Sequence, residues 1–225
     1  MSDGSPRSGA EGSVGRVRVA AVATCSAVLL LFASGCGDDD KNDDKGSASS
    51  SASASAGSDA GPGLTEDQAE RKALVPAATA DYATAAEAAL AAVTDSVLVD
   101  VELDRARDGA PVWDVTVANG DGTEHDVVVE AASGTVRTDE VDPDQDAEDR
   151  DKVADRLGNV TTTWAQAAET ALAKSAGAVT AVELDHDSGR LVWSVDVVST
   201  ENWNKTTYDV DVKDGRVTRE HVDRD

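Results

Sequence analysis

Isoleucine is absent from this 225-residue chain, and aromatics make up only 3% of it: four Trp, two Tyr and one Phe. Any core must be built from Val, Ala and Leu with a few Trp, and it will be thin. Two Cys cannot form a disulfide-dense scaffold. Basic residues are also scarce, 20 Lys plus Arg against 44 Asp plus Glu, for a formal charge of −24. A surface so acidic repels phosphate backbones, which excludes nucleic acid as a partner. There is no G-x-S-x-G, P-loop or G-x-G-x-x-G, and His125, His186 and His221 form no zinc-like pair. Asp142-x-Asp144-x-Asp146 opens like a calcium loop, but Ala147 stands where Gly is needed and Val153 where Glu is needed. No catalytic residue, cofactor or metal site is expected, so an enzyme is not.

What is present begins with an address. Arg7, Arg16 and Arg18 precede an uncharged apolar run, Val19 to Ala33, of 15 residues. A membrane-spanning helix needs about 20, so the run reads as the core of a secretory signal. Ala33-Ser34-Gly35-Cys36, followed at once by Asp38 to Asp40, resembles the lipobox of bacterial lipoproteins, with Ala33 where many have Leu. The resemblance implies a signal peptide over 1–35, lipidation of Cys36 as the mature N-terminus, and anchorage on the extracytoplasmic face of the cell membrane. Cleavage there removes three Arg and two acidic residues, leaving the rest more negative still. Residues 36–63 are rich in Asp, Lys, Ser, Ala and Gly and lack apolar periodicity, so they read as a disordered tether. A flexible coil of that length spans about 30 Å.

Beyond the tether the chain repeats itself. Ala85-Ala86-Glu87-Ala88-Ala89-Leu90 returns as Ala167-Ala168-Glu169-Thr170-Ala171-Leu172, and Val101-Glu102-Leu103-Asp104 as Val182-Glu183-Leu184-Asp185. Val112-Trp113 returns as Val192-Trp193, Gly134-x-Val136 as Gly215-x-Val217, and Val141-Asp142 as Val222-Asp223. One offset, close to 81, relates them all, which is the mark of a tandem duplication. Tyr82 and Trp164 hold matching places near the start of the Ala-rich stretches at about 80–93 and 162–174.

Each copy reads as a helix followed by alternating strands. Val97, Val99, Val101 and Leu103 are expected on one face of the first strand, with Asp100, Glu102 and Asp104 on the other. Trp113, Val115 and Val117, then Val127 and Val129, continue the apolar face; in the second copy Trp193, Val195 and Val197, then Tyr208, Val210 and Val212, do the same. Arg107-Asp108-Gly109 and Asn119-Gly120-Asp121-Gly122 are hairpin turns. The expected class is α+β: two tandem modules, each a small antiparallel sheet with one Ala-rich helix on its apolar face. The divisions are a module at 64–142 with a preceding helix capped by Thr65 and Gln68, an acidic linker at 143–161 that is part helical, and a module at 162–225.

Helix, Val-x-x-Val-Glu-Leu-Asp, Val-Trp-x-Val-x-Val, Asp-Val-x-Val and a closing Gly-x-Val together resemble the PepSY domain, twice, over about 81–141 and 163–222. That family is named for propeptides of thermolysin-like metallopeptidases. The resemblance implies a non-catalytic envelope protein that binds or restrains another envelope or secreted protein, a peptidase being the first candidate. The second copy departs from the pattern in a longer central hairpin, Ser199 to Thr207, which carries Trp203.

Candidate contact residues follow from the outward rows. Asp100, Glu102, Asp114 and Asp126 share one face in the first copy, and Glu183, Asp196, Asp209 and Asp211 in the second. Two readings stand: a face that captures a basic partner, or weakly binds divalent cations in an envelope sensor or buffer, and a solvated face that keeps the sheet from aggregating. Trp113 and Trp193 are expected in the core, and Trp203, among polar neighbours, as an exposed aromatic contact.

Overall fold

The computed structural model describes residues 63–225. The signal segment, Cys36 and the tether up to residue 62 lie outside the described residues. Eight strands form one antiparallel sheet: β1 Ser96–Arg105, β2 Pro111–Asn119, β3 Glu124–Glu130, β4 Val136–Val141, β5 Ala178–Asp187, β6 Arg190–Val198, β7 Lys205–Asp211 and β8 Val217–Asp223. Their order across the sheet is β4-β3-β2-β1-β5-β6-β7-β8. Four α-helices accompany them among the described residues: α1 Glu66–Leu74, α2 Tyr82–Ala92, α3 Ala147–Leu157 and α4 Trp164–Leu172. The class is α+β.

The expectation of two small sheets is corrected: the copies share one. The first strand of each copy, β1 and β5, would otherwise present a bare edge, and pairing them removes both. The register is Asp100 opposite Glu183, Val101 opposite Val182 and Glu102 opposite Ala181. Val101 and Val182 are each other's equivalents in the repeat, so the seam is its own image under a local two-fold axis through that pair.

A second correction concerns the phase of β1. The register shifts between Leu98 and Asp100, and an equal shift falls between Val179 and Ala181 in β5. A bulge inserts one residue and turns what precedes it to the other face. Leu98, Val101 and Leu103 therefore join the main core, while Val99 packs on the opposite face with Ala118 and Val153, and Val97 is 47% exposed.

Small residues set the main core. Ala85, Ala86 and Ala89 of α2, and Ala167, Ala168 and Ala171 of α4, are fully buried, and with no side chain beyond Cβ they let the helices lie close to the Val-rich sheet. Trp113 and Trp193 supply the bulk that Val and Ala cannot. Both are buried as expected, and their Nε1–H groups donate to the carbonyls of Ala80 at 2.9 Å and Thr162 at 2.8 Å, tying each helix entry to its sheet.

Helices α1 and α3 lie on the other face: α1 crosses the seam from β1 to the second copy, and α3 packs on the first copy. The linker indeed carries a helix. Asp146 caps α3 through the backbone N–H groups of Glu148 and Asp149, and the Gln145 side chain bonds Gly122 and Glu124 in the β2–β3 hairpin. The chain must return from edge strand β4 to the middle before it can form β5. An 11-residue helix advances about 16 Å, close to the three strand spacings of about 4.8 Å between β4 and β1. Gly122 is required where α3 touches the hairpin. Its φ is +82°, and a Cβ there would lie 1.9 Å from the carbonyl oxygen of Arg150.

Candidate interaction surface

Thr65 and Gln68 form the expected capping box on α1, and the helix then reaches across to the second copy. Gln68 Nε2 donates to Asn204 Oδ1 at 2.9 Å and to the carbonyl of Arg224 at 3.2 Å. Arg71 donates to Asp223 Oδ2 at 2.5 Å and to the carbonyls of Trp203 and Asp225, each at 3.2 Å. The Asp223 carboxyl is held below its usual pKa, first by the Asp225 backbone N–H and then by the positive field of Arg71. Trp203 thus sits in the socket that receives α1. It is half-buried, with φ of +62°, and its carbonyl rather than its ring makes the contact with Arg71.

The seam turns two acidic rows into one face. Asp100 lies opposite Glu183, and Glu102 opposite Asp114, so four carboxylates from three adjacent strands occupy neighbouring positions. Asp100 is buried there. Asp126 stands two strands from Asp100 and accepts from Thr116 Oγ1 at 3.3 Å. The remaining candidates lie in the second copy, where Asp196 stands opposite Ala181 on the row of Glu102. Asp196 is paired with Lys205 Nζ at 3.0 Å and accepts from Thr207 Oγ1 at 2.5 Å. Asp209 is only 1% exposed and accepts from Arg219 Nε at 2.6 Å, which raises the Arg219 pKa. Asp211 accepts from the Lys213 backbone N–H at 2.8 Å.

On the side that carries α2 and α4, Tyr82 and Trp164 meet edge to face across the local axis, with ring centroids 6.1 Å apart and planes at 89°. Both are half-buried. Burial, then the fields of Asp81 and Glu169, raise the Tyr82 pKa. Their matched positions were visible in the repeat, but nothing in the sequence said that the two rings would touch. Arg71 gave no signal at all, because its partners lie about 150 residues away.

Among the described residues no group of three or more His, Cys, Asp or Glu side chains is placed to hold a metal ion. None of their helices is long and apolar enough to cross a membrane. His125 bridges Asp139 and Asn119, each at 3.2 Å, while His186 and His221 are exposed. Cys36 lies outside the described residues.

Fold and surface together define a duplicated α+β module with a shared acidic sheet face and a leading helix that clamps the far copy. Residues 79–140 and 165–221 each match the family described as "Peptidase propeptide and YPEB domain", PepSY. The chain belongs to that family. It is 27% identical over 138 residues to the uncharacterised protein YkoJ of Bacillus subtilis strain 168, covering 61% of this chain and 72% of YkoJ. Among solved structures it is similar to a candidate lipoprotein, CD1622, of Clostridium difficile 630 (26% identity, 57% of this chain and 84% of that one, TM-score 0.37). It is also similar to YpmB of Bacillus subtilis (18% identity, 60% and 94%, TM-score 0.26).

Proposed function

We propose that this protein is a non-enzymatic lipoprotein, held by lipidated Cys36 on the extracytoplasmic face of the cell membrane, whose paired PepSY modules bind and restrain another envelope or secreted protein, a peptidase by first preference. The observation that carries this reading is the coincidence of the two family matches with the two halves of one sheet. A propeptide-type domain acts by occupying its partner. Here the duplication joins the acidic rows of both copies on one sheet, where Glu102, Asp114 and Glu183 reach solvent around buried Asp100, on the face that also carries α1 and α3. Such a face favours encounter with a basic partner and speeds association more than it adds affinity. Asp126 and Asp211 extend the charged field, as do Asp196 and Asp209 so far as their ion pairs with Lys205 and Arg219 allow.

The test uses the full chain in its own envelope. Affinity capture at low salt should recover a secreted peptidase whose activity is lowered in the complex, and Asp100→Asn with Glu183→Gln should slow its association. Cys36→Ser should move the protein from the membrane fraction to the medium or leave it unprocessed. If every secreted peptidase activity is unchanged by the added protein, restraint is excluded.

A further inference from the structure

At the same seam, on the side that carries α2 and α4, a cavity of about 240 Å³ opens to solvent. Tyr82, Leu103, Trp113, Leu172 and Val179 form apolar walls, and Asp81 and Thr180 are the polar groups that line it. We propose that this cavity, with the Tyr82–Trp164 pair beside it, receives one large apolar side chain of a partner polypeptide whose flanking residues are basic. The inference rests on the partner-binding reading above and adds an anchor on the face of the sheet opposite its acidic rows.

Size fixes the guest. An apolar cavity of about 150 Å³ accepts a benzene-sized molecule, so the space here suits a Leu or Phe side chain and not a bulky cofactor. The use of aromatics points to the same place. Trp113, Trp193 and Tyr208 are buried in the core, whereas Tyr82 and Trp164 are left half-exposed as an edge-to-face pair beside the opening. Interfaces concentrate their energy where Tyr and Trp flank a pocket that excludes water. Charge selects the neighbours of the anchor. Asp81 is exposed at the wall, Glu169 acts on the Tyr82 ring from α4, and the chain as a whole is strongly acidic.

The duplication supplies an internal comparison. Four small residues line the cavity, Ala78, Ala80, Gly177 and Ala178. Their equivalents in the other copy are Val160, Thr162, Ser96 and Val97, all larger. Gly177 is fixed by backbone contact, since a Cβ there would lie 2.4 Å from the Val198 carbonyl oxygen. Ala80 is the position at which the repeat itself shows how to fill the space, since Thr162 is buried whereas Val97 is exposed.

The probe is the peptide acetyl-Lys-Lys-Leu-Lys-Lys-amide, titrated into the full chain in detergent micelles while the Trp indole N–H signals are followed by NMR. The Trp113 and Trp164 signals should shift saturably and Trp193 should not. Replacing the peptide Leu by Ala, or its Lys by Glu, should weaken binding at least tenfold. Ala80→Thr should weaken it similarly with melting unchanged, and Tyr82→Ala serves in its place if Ala80→Thr disturbs the fold. Equal shifts with the Ala peptide, or undiminished binding to both variants, would overturn the proposal. A peptidase still restrained by Ala80→Thr and Tyr82→Ala as by the parent would sink the anchor and leave the proposed function standing. Leucine-dependent peptide binding with no peptidase restrained would do the reverse.

Discussion

Removing Arg71 should release α1 without unfolding the sheet beneath it. Three acceptors converge on this guanidinium, the Asp223 carboxylate and the carbonyls of Trp203 and Asp225, and its side chain is only 14% exposed. An exposed ion pair contributes about 0–1 kcal/mol, whereas hydrogen bonds to a partly buried charge contribute about 1.5–3 kcal/mol. Asp223 is itself about a quarter exposed, so solvent screening places Arg71→Ala near the middle of that span, at about 2 kcal/mol. For a folded body of this size the loss lowers Tm by about 4–8 °C. Acid should do the same by another route. The Asp223 pKa is depressed, so its contribution is present at neutral pH and is lost as pH falls from about 3.9, the ordinary Asp value, through the folded value. In Arg71→Ala that acid sensitivity should shrink but persist, because the Asp225 backbone N–H is the larger cause of the shift. Calorimetry on the parent, Arg71→Ala, Asp223→Asn and the double variant measures the coupling, and hydrogen exchange locates it. Loss of amide protection confined to α1 and the 199–204 loop is expected. A coupling energy of zero, or protection lost evenly across the sheet, would refute the clamp.

Trp113→Ala and Trp193→Ala should each cost about 3–5 kcal/mol, and with one continuous sheet either should produce a single lowered transition in calorimetry. Two separate transitions would mean that the halves fold independently. Gly122→Ala combines a left-handed backbone, worth about 1–2 kcal/mol, with overlap at Arg150, so exchange protection of α3 should fall most. Millimolar Ca²⁺ should raise Tm slightly by easing self-repulsion, and NaCl of matched ionic strength should do nearly as much. A saturable micromolar Ca²⁺ effect that NaCl cannot mimic would establish the cation-sensor reading instead.

Much of the fold was legible because it rests on local patterns. The repeat gave two copies of helix and strands, Trp113 and Trp193 lay in phase with Val, and the turns and the Thr65 capping box were explicit. What was not legible depends on tertiary choice. The run Val97, Val99, Val101, Leu103 is apolar at every alternate position, so no change of residue type marks the bulge at Leu98–Asp100. Amphipathic α1 shows that it must pack, but not on which copy. The candidate contact residues divided for the same reason. Asp100 and Glu183 meet only because β1 pairs with β5, and Asp209 is taken by Arg219, ten positions along the chain on a neighbouring strand.

Duplication within one chain allows something a symmetric dimer of single modules cannot do, and the seam shows it. In the repeat, Glu102 corresponds to Glu183 and Asp100 to Ala181. Were the copies identical, an acidic residue would stand at 181 directly opposite Glu102, repeating the Asp100–Glu183 apposition on the other side of the axis. Like charges at facing positions of an antiparallel pair destabilise it, so a dimer would carry that penalty twice. Fusion lets one copy change alone, and Ala181 removes the second apposition while Val101 and Val182 keep the register. Ala181→Asp should therefore destabilise the protein by about 0.2–1 kcal/mol, and more at low salt than at high, since the added charge acts through solvent on Glu102 across the seam and on Asp196, which faces it from β6. Ala181→Asn has nearly the same shape without the charge and should show little salt dependence. Parallel melting curves for the two variants at low and high salt would show that charge across the seam is not what distinguishes the copies.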